Sequence, residues 1–249
     1  VEAAARGWPA PGPTERPRVG TVGDRGGPDR EETTVADRQA GMAAGQVTCR
    51  AVREAYIQRI NDNNSQGPMW RAVLEINPDA LTIADTLDAE RKAGKVRGPL
   101  HGIPVLIKDN IATRDRMQTT AGSLALVGVS PPRDSFVASR LRDAGAIIMA
   151  KTGLTELATW VAGNPDPMPG NYNAVGGFGF NPYDPRRDPR DRTFDGRPAL
   201  QTGGSSSGIG TAASLWAANV GTDTGGTVIS PSNEKRLVGI RTTLGRISR

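Results

Sequence analysis

Apolar residues recur along this chain with two periods, and the switches between them mark out the elements. Thr34 and Asp37 form a capping pair ahead of Ala36, Met42 and Ala43, which predicts a short helix ending near Gly45. Thr48 caps a second helix, in which Val52, Tyr56 and Ile60 return every four residues and lay one apolar stripe along one face. Ala72 to Ile76 reads as a strand. Asn77 and Pro78 then supply a cap and a first-turn proline for a helix through Leu81, Ala84 and Leu87, closed at Gly94. Leu100 to Ile107 is expected as a strand, Asp134 as the start of a helix through Val137 and Leu141 that Gly145 ends, and Ala146 to Ala150 as a strand covered on both faces. Helices alternating with short buried strands point to an α/β fold with a mainly parallel sheet.

Two stretches break the pattern. Residues 1–30 are rich in Pro, Gly and Arg without periodicity and read as a disordered tail. Residues 162–200 are again rich in Pro and Gly and are far longer than an ordinary connection, so they are either a functional loop or an ordered insertion. The rest, residues 31–249, reads as one unit.

Composition matters here mainly through what it removes. Among 249 residues there are one cysteine, Cys49, and one histidine, His101, which excludes an internal disulfide framework and a Cys/His metal site. No metal and no cofactor is expected. The net charge of +5 would tolerate nucleic acid, but the arginines are interspersed with acids and aromatics are only 4%, so stacking platforms are scarce and no direct nucleic-acid partner is expected. No apolar run approaches the roughly 18 residues of a membrane span, and the reading is a soluble, cytoplasmic chain with no membrane partner.

Acid/base chemistry must therefore come from lysine, carboxylate or hydroxyl groups. Lys108 closes the apolar run Ile103 to Ile107 and leads into Asp109 and Asn110. At a strand end a lysine ordinarily snorkels to water. Held in apolar surroundings it loses its proton more readily, because desolvation disfavours the ammonium. Keeping a lysine of pKa near 10.4 neutral at pH 7 costs about 4.6 kcal/mol, which burial can supply. A second signal is Gly203-Gly204-Ser205-Ser206-Ser207-Gly208, a Gly/Ser cluster running straight into the helix-competent stretch Ile209 to Ala218, where hydroxyls and free amides converge. No Lys-Ser/Thr pair closes it as a phosphate loop requires. A third is Gly221 to Pro231, in which Gly225 and Gly226 precede Thr227 and allow successive amides to face one point, as an oxyanion needs.

Taken together and in this order, these three segments resemble the amidase signature family, serine hydrolases that cleave or transfer carboxamides. The resemblance runs from about Thr34 to Arg249 and rests on Gly98 to Asn110, Gly203 to Gly208, and Gly221 to Pro231 with the tail Val238 to Arg246. It implies a layered α/β/α fold around a mixed sheet. It also implies a Ser, cis-Ser, Lys triad: Lys108 as neutral base, Ser205 as relay, and position 227 as the attacking alcohol, with the amides of Thr224, Gly225, Gly226 and Thr227 holding the oxyanion. The spacing from Ser205 to Thr227 is slightly shorter than the common family form, which leaves Ser206 and Ser207 as relay alternatives. His101, not needed by such a triad, is read as structural. Thr227 replaces the family's usual serine, and an extra methyl in a packed site costs about 1 to 3 kcal/mol. If that cost falls on the transition state, slower chemistry follows.

The implied activity is hydrolysis of a small-molecule or peptidyl carboxamide to acid and ammonia. The alternatives are the amide-cleaving component of a glutamyl-tRNA amidotransferase, hydrolysing glutamine, and a catalytically inactive remnant. A homodimer is left open. Family domains are nearly twice this long, so the chain is expected to be an N-terminal portion with the C-terminal half absent.

Overall fold

The structure, a computed structural model, describes residues 33–160, 170–189 and 196–247. The tail expected over residues 1–30 lies outside the described residues. Helix α1 (Val35–Ala43) begins with the anticipated capping box, in which Thr34 and Asp37 satisfy each other's backbone amides. Helix α2 (Cys49–Asn64) is capped by the Thr48 hydroxyl and buries Val52, Tyr56 and Ile60, the stripe legible in the sequence.

Strand β1 (Val73–Ile76) and helix α3 (Ala80–Lys92) follow. The cap of α3 is Asp79 rather than Asn77. Asn77 instead fastens the turn to the sheet, its side chain donating to the carbonyl of Ile148 at 2.8 Å and accepting from the Asp79 amide at 2.9 Å. Strand β2 (Pro104–Lys108) is buried throughout and starts later than Leu100, because Leu100 to Ile103 close a turn in which the Ile103 amide bonds the Leu100 carbonyl. Helix α4 (Phe136–Asp143) is capped by Ser135, not begun by Asp134, whose carboxylate is taken by the Arg114 amide and by Arg142. Strand β3 (Ile147–Thr152) extends two residues past the apolar run and carries Lys151 with it.

The chain then forms a small hairpin, β4 (Tyr172–Asn173) with β5 (Gly177–Phe178), so the described part of the long Pro/Gly-rich stretch is ordered. Helix α5 (Ser207–Ala212) is shorter than the helix-competent stretch. The chain turns at Ser214, which has positive φ, and Leu215 bonds back to the Gly210 carbonyl, and Ala218 enters strand β6 (Ala218–Val220) instead. Helix α6 (Ile229–Glu234) closes the described order.

The main sheet runs β1-β3-β2-β6, with β1 antiparallel to β3 and β2 parallel to both its neighbours. Along β2, Val105 and Ile107 point into one core with Met42, Leu87 and Ala138, from α1, α3 and α4. Leu106 points to the other, with Val52, Tyr56, Ile209 and Trp216, from α2 and the α5 region. Helices therefore cover both faces, and the protein has the expected α/β/α layering around a mixed sheet. One consequence decides where chemistry can sit: because β2, β3 and β6 are parallel, Lys108, Thr152 and Val220 all end at the same edge, and the loops that follow them meet there.

Truncating Ile107, fully buried at the centre of β2, to alanine is expected to cost about 2 to 5 kcal/mol, whereas Val96→Ala, at a half-exposed position, should change stability by no more than about 0.5 kcal/mol. Urea denaturation of the two variants beside the parent checks this.

Candidate active site

Lys108 stands at the last position of β2 with no exposed surface. Its Nζ donates to the carbonyl and the hydroxyl of Thr222, each at 3.2 Å, and to Thr227 Oγ1 at 3.1 Å. Burial pulls its pKa down to about 8, against a smaller opposing pull from the Asp223 carboxylate. A useful fraction is then neutral near physiological pH, which an ordinary surface lysine does not offer.

Thr227 lies in the turn between β6 and α6. As its hydrogen bonds stand, Thr227 Oγ1 donates to the Thr222 carbonyl at 2.7 Å and accepts from Lys108. Asp223 shapes this turn: its carboxylate accepts the amides of Gly226 at 2.7 Å, Val228 at 3.0 Å and Ile229 at 3.4 Å, and Arg241 lies 3.7 Å away. Burial by itself would raise the Asp223 pKa, but the three amides and the guanidinium outweigh it and hold the carboxyl below its usual value. Asn110 adds a donor to the Thr222 hydroxyl at 2.9 Å. Of the four proposed oxyanion amides, that of Gly226 is therefore committed to Asp223. Among the described residues those of Thr224, Gly225 and Thr227 donate to nothing, and Thr224 and Gly225 face solvent.

The serine cluster is held on the extension of β3. Ser205 bridges Leu154, the Thr155 amide bonds the Gly204 carbonyl, and the Ser206 amide bonds the Gly153 carbonyl. Ser205 Oγ and Ser207 Oγ are 2.5 Å apart. Ser206 instead turns its hydroxyl to Asn171, at 3.0 Å, so of the three serines it is the one engaged elsewhere. Two close approaches bring this cluster to the other groups. A methyl on Gly204 would lie 2.7 Å from Thr227 Cγ2, so only glycine leaves room for the threonine methyl. A methyl on Gly221 would lie 3.8 Å from Lys108 Cδ and 4.0 Å from Ser207 Oγ, which puts Ser207 on the lysine side of the pair. Among the described residues no hydrogen bond links Ser205 or Ser207 to Lys108 or Thr227.

His101 is buried, with Nε2 3.0 Å from the Leu87 carbonyl and Nδ1 accepting from the Arg97 amide at 3.3 Å. Both ring nitrogens thus serve backbone. Cys49 is buried and free, and burial pushes its thiol up to about 12. Among the described residues no cluster of three or more His, Cys, Asp or Glu could hold a metal ion, and no helix is long and apolar enough to cross a membrane.

Among known proteins, the family described as Amidase matches residues 51–249. The chain belongs to the amidase family. It is 43% identical to the peptide amidase of Stenotrophomonas maltophilia, whose solved structure superposes with a TM-score of 0.71 over 81% of this chain and 38% of that one. An amidase family protein of Bacillus anthracis superposes with a TM-score of 0.72 at 30% identity, over 81% of this chain and 37% of that one. A component of the glutamyl-tRNA(Gln) amidotransferase of Chloroflexus aurantiacus is 38% identical over 217 residues, 87% of this chain and 40% of that protein. The chain spans about a third to two fifths of the length of the curated amidase-family relatives it matches.

Sequence reasoning missed several supports of this amidase-family site. Thr222 lies inside the third motif without an expected role, yet it accepts from both Lys108 and Thr227. Asp223 was overlooked as the organiser of the turn, though a carboxylate three residues before an amide is a local capping signal. Lys151 and Lys235 are as fully buried as Lys108. Lys151, inside an otherwise apolar strand, ties down the loop after β2 through the Ile111 carbonyl at 2.8 Å and Thr119 Oγ1 at 2.9 Å.

The depressed pKa of Lys108 has a pH signature. Between about pH 8 and the ordinary lysine value near 10.4 the unfolded chain binds the proton that the folded chain has released, so this group's contribution to stability rises with pH through that window. Lys108→Met should therefore be relatively more stable than the parent at pH 7, with the gap narrowing toward pH 10. Parallel denaturation series at the two pH values measure it.

Proposed function

We propose that the chain carries the catalytic portion of an amidase that hydrolyses a carboxamide through an acyl-enzyme, with Thr227 as nucleophile and Lys108 as base. The observation that carries this reading is the 3.1 Å contact between a fully buried lysine, its pKa lowered to about 8, and the hydroxyl of Thr227. Rotation of the Thr227 hydroxyl hydrogen away from the Thr222 carbonyl, with no heavy-atom movement, turns it toward neutral Lys108. Nζ then takes that proton as Oγ1 adds to the amide carbon. Negative charge gathers on the substrate oxygen, where the free amides of Thr224, Gly225 and Thr227 stabilise it. Collapse breaks the C–N bond. The proton passes from the lysine by way of Ser207, on the lysine side, and Ser205, 2.5 Å from it, to the departing nitrogen, which leaves as ammonia. Water, deprotonated by the same lysine, then hydrolyses the Thr227 ester and regenerates the hydroxyl.

Likeness to the peptide amidase supports a carboxamide substrate of small-molecule or peptidyl kind. Likeness to the amidotransferase component supports the same amide cleavage with glutamine as donor, a second reading that a glutamine-dependent ammonia assay separates from the first.

The test uses ammonia release from a C-terminally amidated dipeptide, together with the intact mass of the acylated chain. Lys108→Ala is expected to lower the rate by about 10²- to 10⁴-fold with the fold retained. Thr227→Ala should give no acylated species. Removing the methyl in Thr227→Ser should raise the rate, by about 5- to 150-fold, as relief of a 1 to 3 kcal/mol crowding cost predicts. A rate unmoved by Lys108→Ala would reject the base assignment.

A further inference from the structure

Lys235 has no surface exposed and takes no part in the chemistry proposed above. It directly follows helix α6, whose first residue comes two positions after Thr227. Its Nζ donates at 2.6 Å to the carbonyl of Thr202, the buried residue that leads into the Gly203 to Ser207 turn. The Glu234 carboxylate is 4.0 Å from the same nitrogen. On the other side the Tyr183 hydroxyl donates to the Lys235 carbonyl at 3.4 Å, anchoring the residue to the 181–189 segment. The aliphatic stem is closely fitted: a methyl on Gly208 would lie 3.2 Å from Lys235 Cδ and 2.9 Å from Pro231 Cβ. Among the described residues no other hydrogen bond joins segment 202–208 to segment 227–235.

One amine therefore spans the two pieces of backbone that carry the hydroxyls of the site. Packing of Pro231 against Gly208 brings the pieces together, but apolar contact is non-directional and tolerates sliding, whereas a hydrogen bond to a fixed carbonyl does not. We infer that Lys235 is a positioning residue: it fixes the helix behind Thr227 against the turn that carries Ser205 and Ser207, an inference that rests on the proposed roles of those hydroxyls. Without the amine, the Thr202 carbonyl is left buried and unpaired, and the turn opens to find water.

The experiment is amide hydrogen exchange on the 249-residue chain and its Lys235→Met variant, which keeps the stem and removes the donor. Exchange is expected to quicken by about tenfold or more both in 203–208 and at the hydrogen-bonded amides of Gly226 and Val228, with 104–108 and 147–152 unchanged. Lys235→Gln, which retains a donor, should restore part of the protection. The rate of covalent labelling of Thr227 by phenylmethanesulfonyl fluoride should fall in Lys235→Met and partly recover in Lys235→Gln. Unchanged exchange, or a change confined to one segment, overturns the inference. Coupled exchange in a chain whose parent is never labelled supports the clamp while counting against the nucleophile. If Lys235→Met does not fold, reductive methylation of the parent decides: Lys235 protected while exposed Lys92 and Lys95 react supports the inference, and equal reactivity overturns it.

Discussion

The site depends on a lysine whose amine is kept from water at the end of a strand buried on both faces, with hydroxyl and carbonyl oxygens as its neighbours and no carboxylate in direct contact among the described residues. An ammonium paired with a carboxylate stays charged and is useless as a base. An amine hydrogen-bonded to neutral oxygens in an apolar shell sheds its proton near pH 8. The nearby charge of Asp223 is kept from undoing this because its carboxylate is occupied by three backbone amides and faces Arg241.

Parallel strands make the arrangement economical. Three loops leave the same edge of the sheet, and each contributes one chemical class: the lysine from β2, the serine turn seated on the extension of β3, and the threonine turn after β6. The loop after β2 and the serine turn are held by backbone bonds to β3 and its extension, and the threonine turn by the Lys108 and Asn110 side chains, so the amine and the hydroxyls inherit the rigidity of the core. Three fully buried lysines serve this edge in different ways. Lys108 faces the hydroxyls, Lys151 secures the loop after β2, and Lys235 joins the serine turn to α6. Beyond α6 the chain is differently placed: Val238, Ile240 and Leu244 are 91%, 77% and 95% exposed, in a chain that spans 38% of the peptide amidase it resembles.

The helical stripe of Val52, Tyr56 and Ile60, the capping box at Thr34, and the apolar strands around Leu106 and Ile148 were legible because they are local: period, cap and composition lie within one element. So was membership of the amidase family, since residue type and order in the three motifs carry it. What misled was also local. Ala218 sits in a helix-competent run but becomes strand, because an edge position beside β2 was open to it and Trp216 packs against Gly210. Asn77 looks like a cap but is a link to β3.

The sequence by itself determined most of the helices and strands up to β3 and which residue types could do acid/base work, because propensity and burial preference act over a few neighbours. Only the tertiary structure decided that Lys108 meets Thr227 directly, that Ser205 pairs with Ser207 while Ser206 turns to Asn171, and that Gly226 gives its amide to Asp223. Those are contacts between side chains and turns whose directions depend on how β2, β3 and β6 align, and that alignment is a property of the packed sheet rather than of any one segment.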